Sequence, residues 1–261
     1  MLLVSANKGD AFMATWPGFV CQALSLATAE TILPAVVTRE FDGREDFELR
    51  SGPFFRYRSV LPPPVPFRGP EGAGEFWRLV ELFVKYVDVE GFKPGALFEE
   101  LDGIRRGARG SFETACLTLG IGVESIARLL LSGESPSRVC PDQLRGLLEH
   151  LDTWPGDADI RERAKNAASR LAETRPVDLM HAWARRTGVP EKLVNGWKKL
   201  RDRKAHGSAL DDKEGWSLYC SAAELVYRIV ASAIGYDGPI TKLSEPGWGL
   251  EPGARTSKTG E

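Results

Sequence analysis

The heaviest concentration of chemically capable side chains in the chain is "RDRKAHG", residues 201–207. Arg201, Arg203, Lys204 and His206 fall within six positions, Lys198 and Lys199 precede them, and Gly207 ends the run. Histidine titrates near neutrality and can take or give a proton. Arginine presents a planar fork of donors to a phosphate and stays charged. Together they suit cleavage of RNA by its own ribose 2′-hydroxyl. That reaction needs a base for the hydroxyl proton, an acid for the leaving oxygen and a cation for the charge on the phosphorane. The competing account is electrostatic: cations in the last turn of a helix, a protonated histidine included, complement the helix dipole. From these residues alone both accounts stay open. No HExxH and no ladder of His and Cys accompanies the run, so neither a metal nor another cofactor is expected. Glu99–Glu100 and Asp211–Asp212 read as solvated acid pairs.

These residues need a helix to hold them. "VPEKLVNGWKKLRDRKAHG" predicts one, with Pro190 in the first turn and Gly207 as the C-cap. Leu193, Trp197, Leu200 and Ala205 form its apolar face. Five steps turn an ideal helix by about 500°, so Arg201 and His206 converge only if the helix ends or tightens at Ala205. Asp202 and His206 are one turn apart and share a face. The following "GWSLYCSAAELVYRIVASAIG" turns Trp216, Tyr219, Cys220, Ala223, Val226 and Val230 inward, so Trp197 and Trp216 both read as core.

Earlier helices follow the same spacing. "EFWRLVELFVKYVD" aligns Phe76, Leu79, Val80, Phe83, Val84 and Val87, and "SFETACLTLGIGVESIARLLL" aligns Phe112, Cys116, Leu119, Val123, Ile126 and Leu130. In the latter, Gly120 and Gly122 permit close helix approach, and Glu124 and Arg128 form an i,i+4 pair in the favourable order. "DQLRGLLEHLD", "DIRERAKNAASRLAETR" and "VDLMHAWARRTG" read as shorter helices, the last stopping at Gly188. His150 and His181 fall on them, away from other cations, and read as structural or exposed. Residues 1–70 differ: "ILPAVVTREF" and "FFRYRSVL" are β-branched and aromatic, and read as strands or extended chain. "LPPPVPFRGPEGAG" (61–74) marks a boundary. The expected organisation is a partly β or irregular region over 1–70, a helical bundle over 75–240 and a flexible tail over 241–261.

The 261 residues carry a formal net charge of -2, so any anion site must come from local clustering. With 43% hydrophobic and 27% charged residues the composition is that of a soluble globular protein. Cys21, Cys116, Cys140 and Cys220 form no CxxC pair, which argues against a cysteine zinc site and suits a reducing cytoplasm. Neither a signal peptide nor an apolar run of membrane-spanning length is read, so no membrane association is expected.

Arg201-Asp202-Arg203-Lys204-Ala205-His206 matches the R-x(4–6)-H signature of HEPN domains. "GWKKLRDRKAHG" followed by a long apolar helix ending in "IGY" most resembles the ApeA-like HEPN ribonucleases of bacterial defence. "LTLGIGVESIARLLL" resembles an earlier core helix of that family, which carries an internal acid. The resemblance spans about residues 75–240. It implies a mainly α, HEPN-like bundle with additional inserted helices between Glu124 and the motif, and a short N-terminal region containing a few strands. It implies a metal-independent endoribonuclease acting as a homodimer on RNA, an effector or toxin of antiphage or abortive-infection defence, partnered by an antitoxin or sensor protein. Arg201 and His206 carry over as catalytic. Asp202 stands at the polar position that orients the histidine or an RNA hydroxyl. Glu124 and Arg128 carry over as support for the catalytic arginine, and Lys198, Lys199, Arg203 and Lys204 as contacts to the RNA backbone. The alternative is a non-catalytic HEPN-like binding or dimerisation module.

Overall fold

A computed structural model of the chain describes residues 16–32, 36–41, 44–49, 63–65, 69–89, 95–134, 140–172, 174–205, 212–245 and 250–252. The fold is mainly α. The described helices are α1 (Trp16–Thr28), α2 (Gly69–Val89), α3 (Ala96–Gly107), α4 (Phe112–Leu130), α5 (Pro141–Thr153), α6 (Ala158–Ser169), α7 (Pro176–Thr187), α8 (Glu191–Ala205) and α9 (Asp212–Ala233). Two antiparallel hairpins accompany them, β1 (Val36–Phe41) with β2 (Arg44–Leu49), and β3 (Pro239–Thr241) with β4 (Leu250–Pro252). Among the described residues no helix is long and apolar enough to cross a membrane.

Helix α9 is the hub. Its buried residues run almost all round it, from Tyr219 through Ala222, Ala223, Leu225 and Val226 to Val230, as expected of a helix enclosed by others. α4 and α8 pack on it and on each other, and α3 and α7 close against α4. α4 starts at Ser111, whose hydroxyl accepts from the Thr114 amide at 3.2 Å. Its buried stripe is Cys116, Leu119, Val123 and Ile126, spaced by three and four as the sequence predicts. α7 stops at Gly188, which adopts the left-handed φ of 74° expected of a glycine C-cap. Trp183 of α7 is fully enclosed and donates its indole N–H to Ser232 Oγ of α9 at 3.2 Å.

The two α4 glycines differ. A methyl group on Gly122 would lie 2.6 Å from Ile104 Cγ1 of α3, so that crossing requires glycine. On Gly120 it would sit 3.6 Å from Arg201 Cα of α8, an ordinary contact.

α5 and α6 lie between α4 and α7 in the chain and pack on one another. α5 buries no residue, and Leu147, Ile160 and Leu171 are exposed. With α7 they separate α4, which carries Glu124, from α8 along the chain.

Several expectations are corrected. The region over 1–70 holds a helix, α1, as well as the β1–β2 hairpin. Phe19, Ala23, Leu26 and Ala27 of α1 join the bundle core. "FFRYRSVL" lies outside the described residues. α2 begins at Gly69, inside the segment read as a break, and Val65 ahead of it is buried. α3 was not anticipated, although Leu97, Leu101 and Ile104 bury its apolar face. The first residues of the supposed tail are tied down. Thr241 donates its amide to Pro64 O at 2.8 Å and its hydroxyl to Pro63 O at 3.0 Å, and Ile240 and Leu243 are buried.

Candidate active site

Trp197 sets the position of the motif. It is buried and its indole N–H donates to the Gly120 carbonyl at 2.9 Å, which fixes α8 on α4. One turn on, the backbone of Arg201 lies against Gly120, and its side chain runs along α4 to Glu124. Arg201 Nε stands 2.7 Å from Glu124 Oε2, and the other carboxylate oxygen accepts from Arg128 Nη2 at 3.2 Å. One acid therefore holds two arginines. The Arg201 side chain keeps 44% of its surface in solvent. A pair this exposed contributes at most about 1 kcal/mol to stability. Its consequence is geometric: the Nε edge of the fork is engaged by Glu124. Asp202 Oδ1 is 3.7 Å from Arg201 Nη1, beyond hydrogen-bond range.

The neighbouring cations behave differently. Lys198 is exposed. Lys199 Nζ lies 2.6 Å from Glu214 Oε1 near the start of α9, and Arg203 Nη1 bonds the other Glu214 oxygen. Hydrogen bonds from Lys199 and Arg203 hold the Glu214 carboxyl below the usual carboxylate range. Two of the four cations expected at the RNA backbone thus share a carboxylate and would have to exchange it for a phosphate. Sequence reasoning missed Glu214; the signal was an acid just across a short connection from a dense basic run. Lys204 falls in the last turn of α8. Its side chain, and all of His206 and Gly207, lie outside the described residues. The structure therefore brings together Arg201, Asp202, Glu124 and Arg128, with Lys199 and Arg203 alongside them on α8.

Trp216 departs from the inward position predicted for it. It is 37% exposed and stacks on Tyr219 with ring centroids 5.8 Å apart, its other neighbour being Phe112 at 6.2 Å. It lies in the second turn of α9, at the rim of the bundle, so it covers the core instead of entering it. Beneath it Tyr219 is buried, and desolvation pushes its phenol well above the usual range. Trp197, Leu193 and Leu200 are buried as the spacing predicts. His150 is exposed on α5, and His181 Nδ1 lies 3.3 Å from Glu191 Oε2 at the α7–α8 corner. Comparison with protein-family models, with curated proteins and with solved structures finds no match.

Proposed function

We propose that the chain is a metal-independent endoribonuclease of HEPN type, an RNA-cleaving toxin or effector of antiphage or abortive-infection defence acting in the cytoplasm. The observation that supports it most is the contact of Arg201 with Glu124, which joins the motif helix to the acid of the earlier helix at 2.7 Å. A preset guanidinium costs little reorganisation when charge builds on a phosphate in the transition state.

In this reading the ribose 2′-oxygen attacks the adjacent phosphorus while one His206 accepts the hydroxyl proton. The phosphorus–O5′ bond breaks as an imidazolium protonates the leaving oxygen. Arg201 neutralises the phosphorane between these events. Each chain carries one motif histidine, so a two-fold axis near the motif supplies the second. Leu117 and Ile121 on α4, the latter 55% exposed, lie one to two turns before Glu124 and offer apolar surface for that axis. The Ile121→Glu variant is therefore expected to sediment as a monomer and to lose most of its cleavage, while keeping its helical circular dichroism. Wild-type chain that is monomeric at micromolar concentration and fully active would overturn the dimeric site.

The products carry the test of the chemistry. Cleavage should persist in EDTA and leave 2′,3′-cyclic phosphate or 3′-phosphate ends, and RNA with a 2′-O-methyl group at the scissile position should resist. Activity lost in EDTA and restored by magnesium or manganese would contradict the proposal.

A second reading draws on the carboxylates. Glu124, Asp202 and Glu214 offset much of the positive charge of Arg128, Lys199, Arg201 and Arg203. This favours a non-catalytic HEPN-like module that binds RNA, a nucleotide or a protein partner such as an antitoxin or sensor.

A further inference from the structure

Trp216 lies near the end of the bundle where α8 and α9 meet. Glu214, two residues before it, takes Lys199 and Arg203 of α8 on its two carboxylate oxygens, which holds the first turn of α9 against the motif helix. Yet Trp216 is 37% exposed, on a helix whose later turns are enclosed almost all round. Covering that apolar area would be favourable.

The ring is backed from within. Its plane lies 23° from that of Tyr219, 5.8 Å away, and Tyr219 is buried. Phe112 of α4 completes a cluster of three rings, 6.2 Å from Trp216 and 5.8 Å from Tyr219. Aromatic pairs at such distances attract beyond the area they bury. The inner side of the indole is thus covered by a buried ring, and its accessible area lies outward.

The surroundings are cationic. Lys213 is exposed one turn before Trp216 on the same side of α9, and Lys198 is exposed on α8. A flat apolar face beside cations suits a polyanion that carries planar rings. Single-stranded RNA is such a polyanion, whereas in a duplex the bases stack on one another and present only their edges.

We propose that Trp216 is a base-stacking platform, on whose outer face an unpaired nucleotide of the RNA strand lays its base. The platform rests on the reading of the chain as an RNA-cleaving enzyme and deepens it. Every base has a π-face, so Trp216 selects unpaired over paired RNA and does not choose among bases.

The test uses the full chain and a short fluorescein-labelled 2′-O-methyl RNA, which resists cleavage, beside the same backbone without bases. Trp216→Leu should bind the RNA about tenfold more weakly and the base-free backbone within about twofold of the parent. Trp216→Phe keeps a smaller ring and should lose about threefold on the RNA. An equal loss on both oligomers, or RNA binding by Trp216→Leu within about twofold of the parent, would overturn the proposal. Unchanged binding with altered sedimentation would overturn it too, and give the face to a second copy. Where Trp216→Leu does not fold, the parent crosslinked to the same RNA carrying 4-thiouridine decides: an adduct on Trp216 supports the platform, and adducts confined to other residues overturn it. Cleavage of unmodified RNA is scored separately. A parent that cuts RNA while Trp216→Leu binds it equally well sinks the platform alone; a parent that neither binds nor cuts RNA sinks the underlying reading with it.

Discussion

Arg201→Lys is expected to bind RNA within about twofold of the parent and to cleave it about 100-fold more slowly, the loss seen when one preorganised donor to a developing oxyanion is removed. Lysine keeps the charge and removes the fork. It also gives up the Nε contact by which Glu124 orients the group. An interaction that strengthens only as charge builds on the phosphorane lowers the chemical step and leaves ground-state binding in place. Lys198→Ala should do the reverse. Lys198 is exposed on α8, so its loss should weaken binding and reduce the salt slope by about one, with little effect at saturating RNA. Single-turnover cleavage and filter binding across a salt series separate the two. Equal cleavage by Arg201→Lys and parent would reduce "RDRKAH" to a solvated helix end and favour the binding-module reading.

The largest loss of stability is expected far from the motif. Glu224 and Arg228, one turn apart on α9, are each 3% exposed and joined at 2.9 Å. The second Glu224 oxygen accepts from the Ser244 amide at 2.9 Å, which holds the segment after β3 to the hub helix. Glu224→Ala takes this carboxylate from a buried guanidinium and strips a backbone amide of its acceptor. Breaking a buried pair in this way costs about 3–5 kcal/mol. The melting midpoint should fall by roughly 10 °C. Glu224→Gln keeps an acceptor for Ser244 and should lose less. Proteolysis should cut near residues 239–245 earlier in Glu224→Ala than in the parent. A midpoint for Glu224→Ala within about 2 °C of the parent, a loss under roughly 1 kcal/mol, would contradict this account of the hub.

The elements that buried one clean stripe were readable from spacing. Leu193, Trp197 and Leu200 announced α8, the Cys116–Ile126 stripe announced α4, and Gly188 announced the end of α7. α1 was not readable in the same way. "WPGFVCQALSLAT" is apolar on nearly every side, so no period separates its buried face from the rest. Its helical state follows from packing on α2. In α3 the stripe of Leu97, Leu101 and Ile104 was present but interrupted by Gly103 and flanked by "KPG", which hid it. Trp216 shows the limit of the stripe itself: periodicity names the side of a helix, and depth depends on whether a neighbour covers that turn.

The site was legible in pieces. Arg201 and its basic neighbours stood out by local density and Glu124 by its i,i+4 spacing to Arg128, but its link to Arg201 was suggested only by the family resemblance, because that contact joins helices separated by three others. The engagement of Lys199 and Arg203 by Glu214 depends on how α8 and α9 pair, which composition does not encode. The hydrogen bond from Thr31 to Asp102 joins residues 71 positions apart and has no local signature.

The proposed cleavage of RNA rests on Arg201 and His206. Its most direct test is incubation of the purified full chain with total RNA and tRNA in EDTA, beside His206→Ala at equal concentration, with the product ends identified by mass spectrometry. Fragments ending in 2′,3′-cyclic phosphate or 3′-phosphate are expected from the parent and none above background from a folded His206→Ala. Intact RNA with both proteins, or equal cleavage by both, would contradict it.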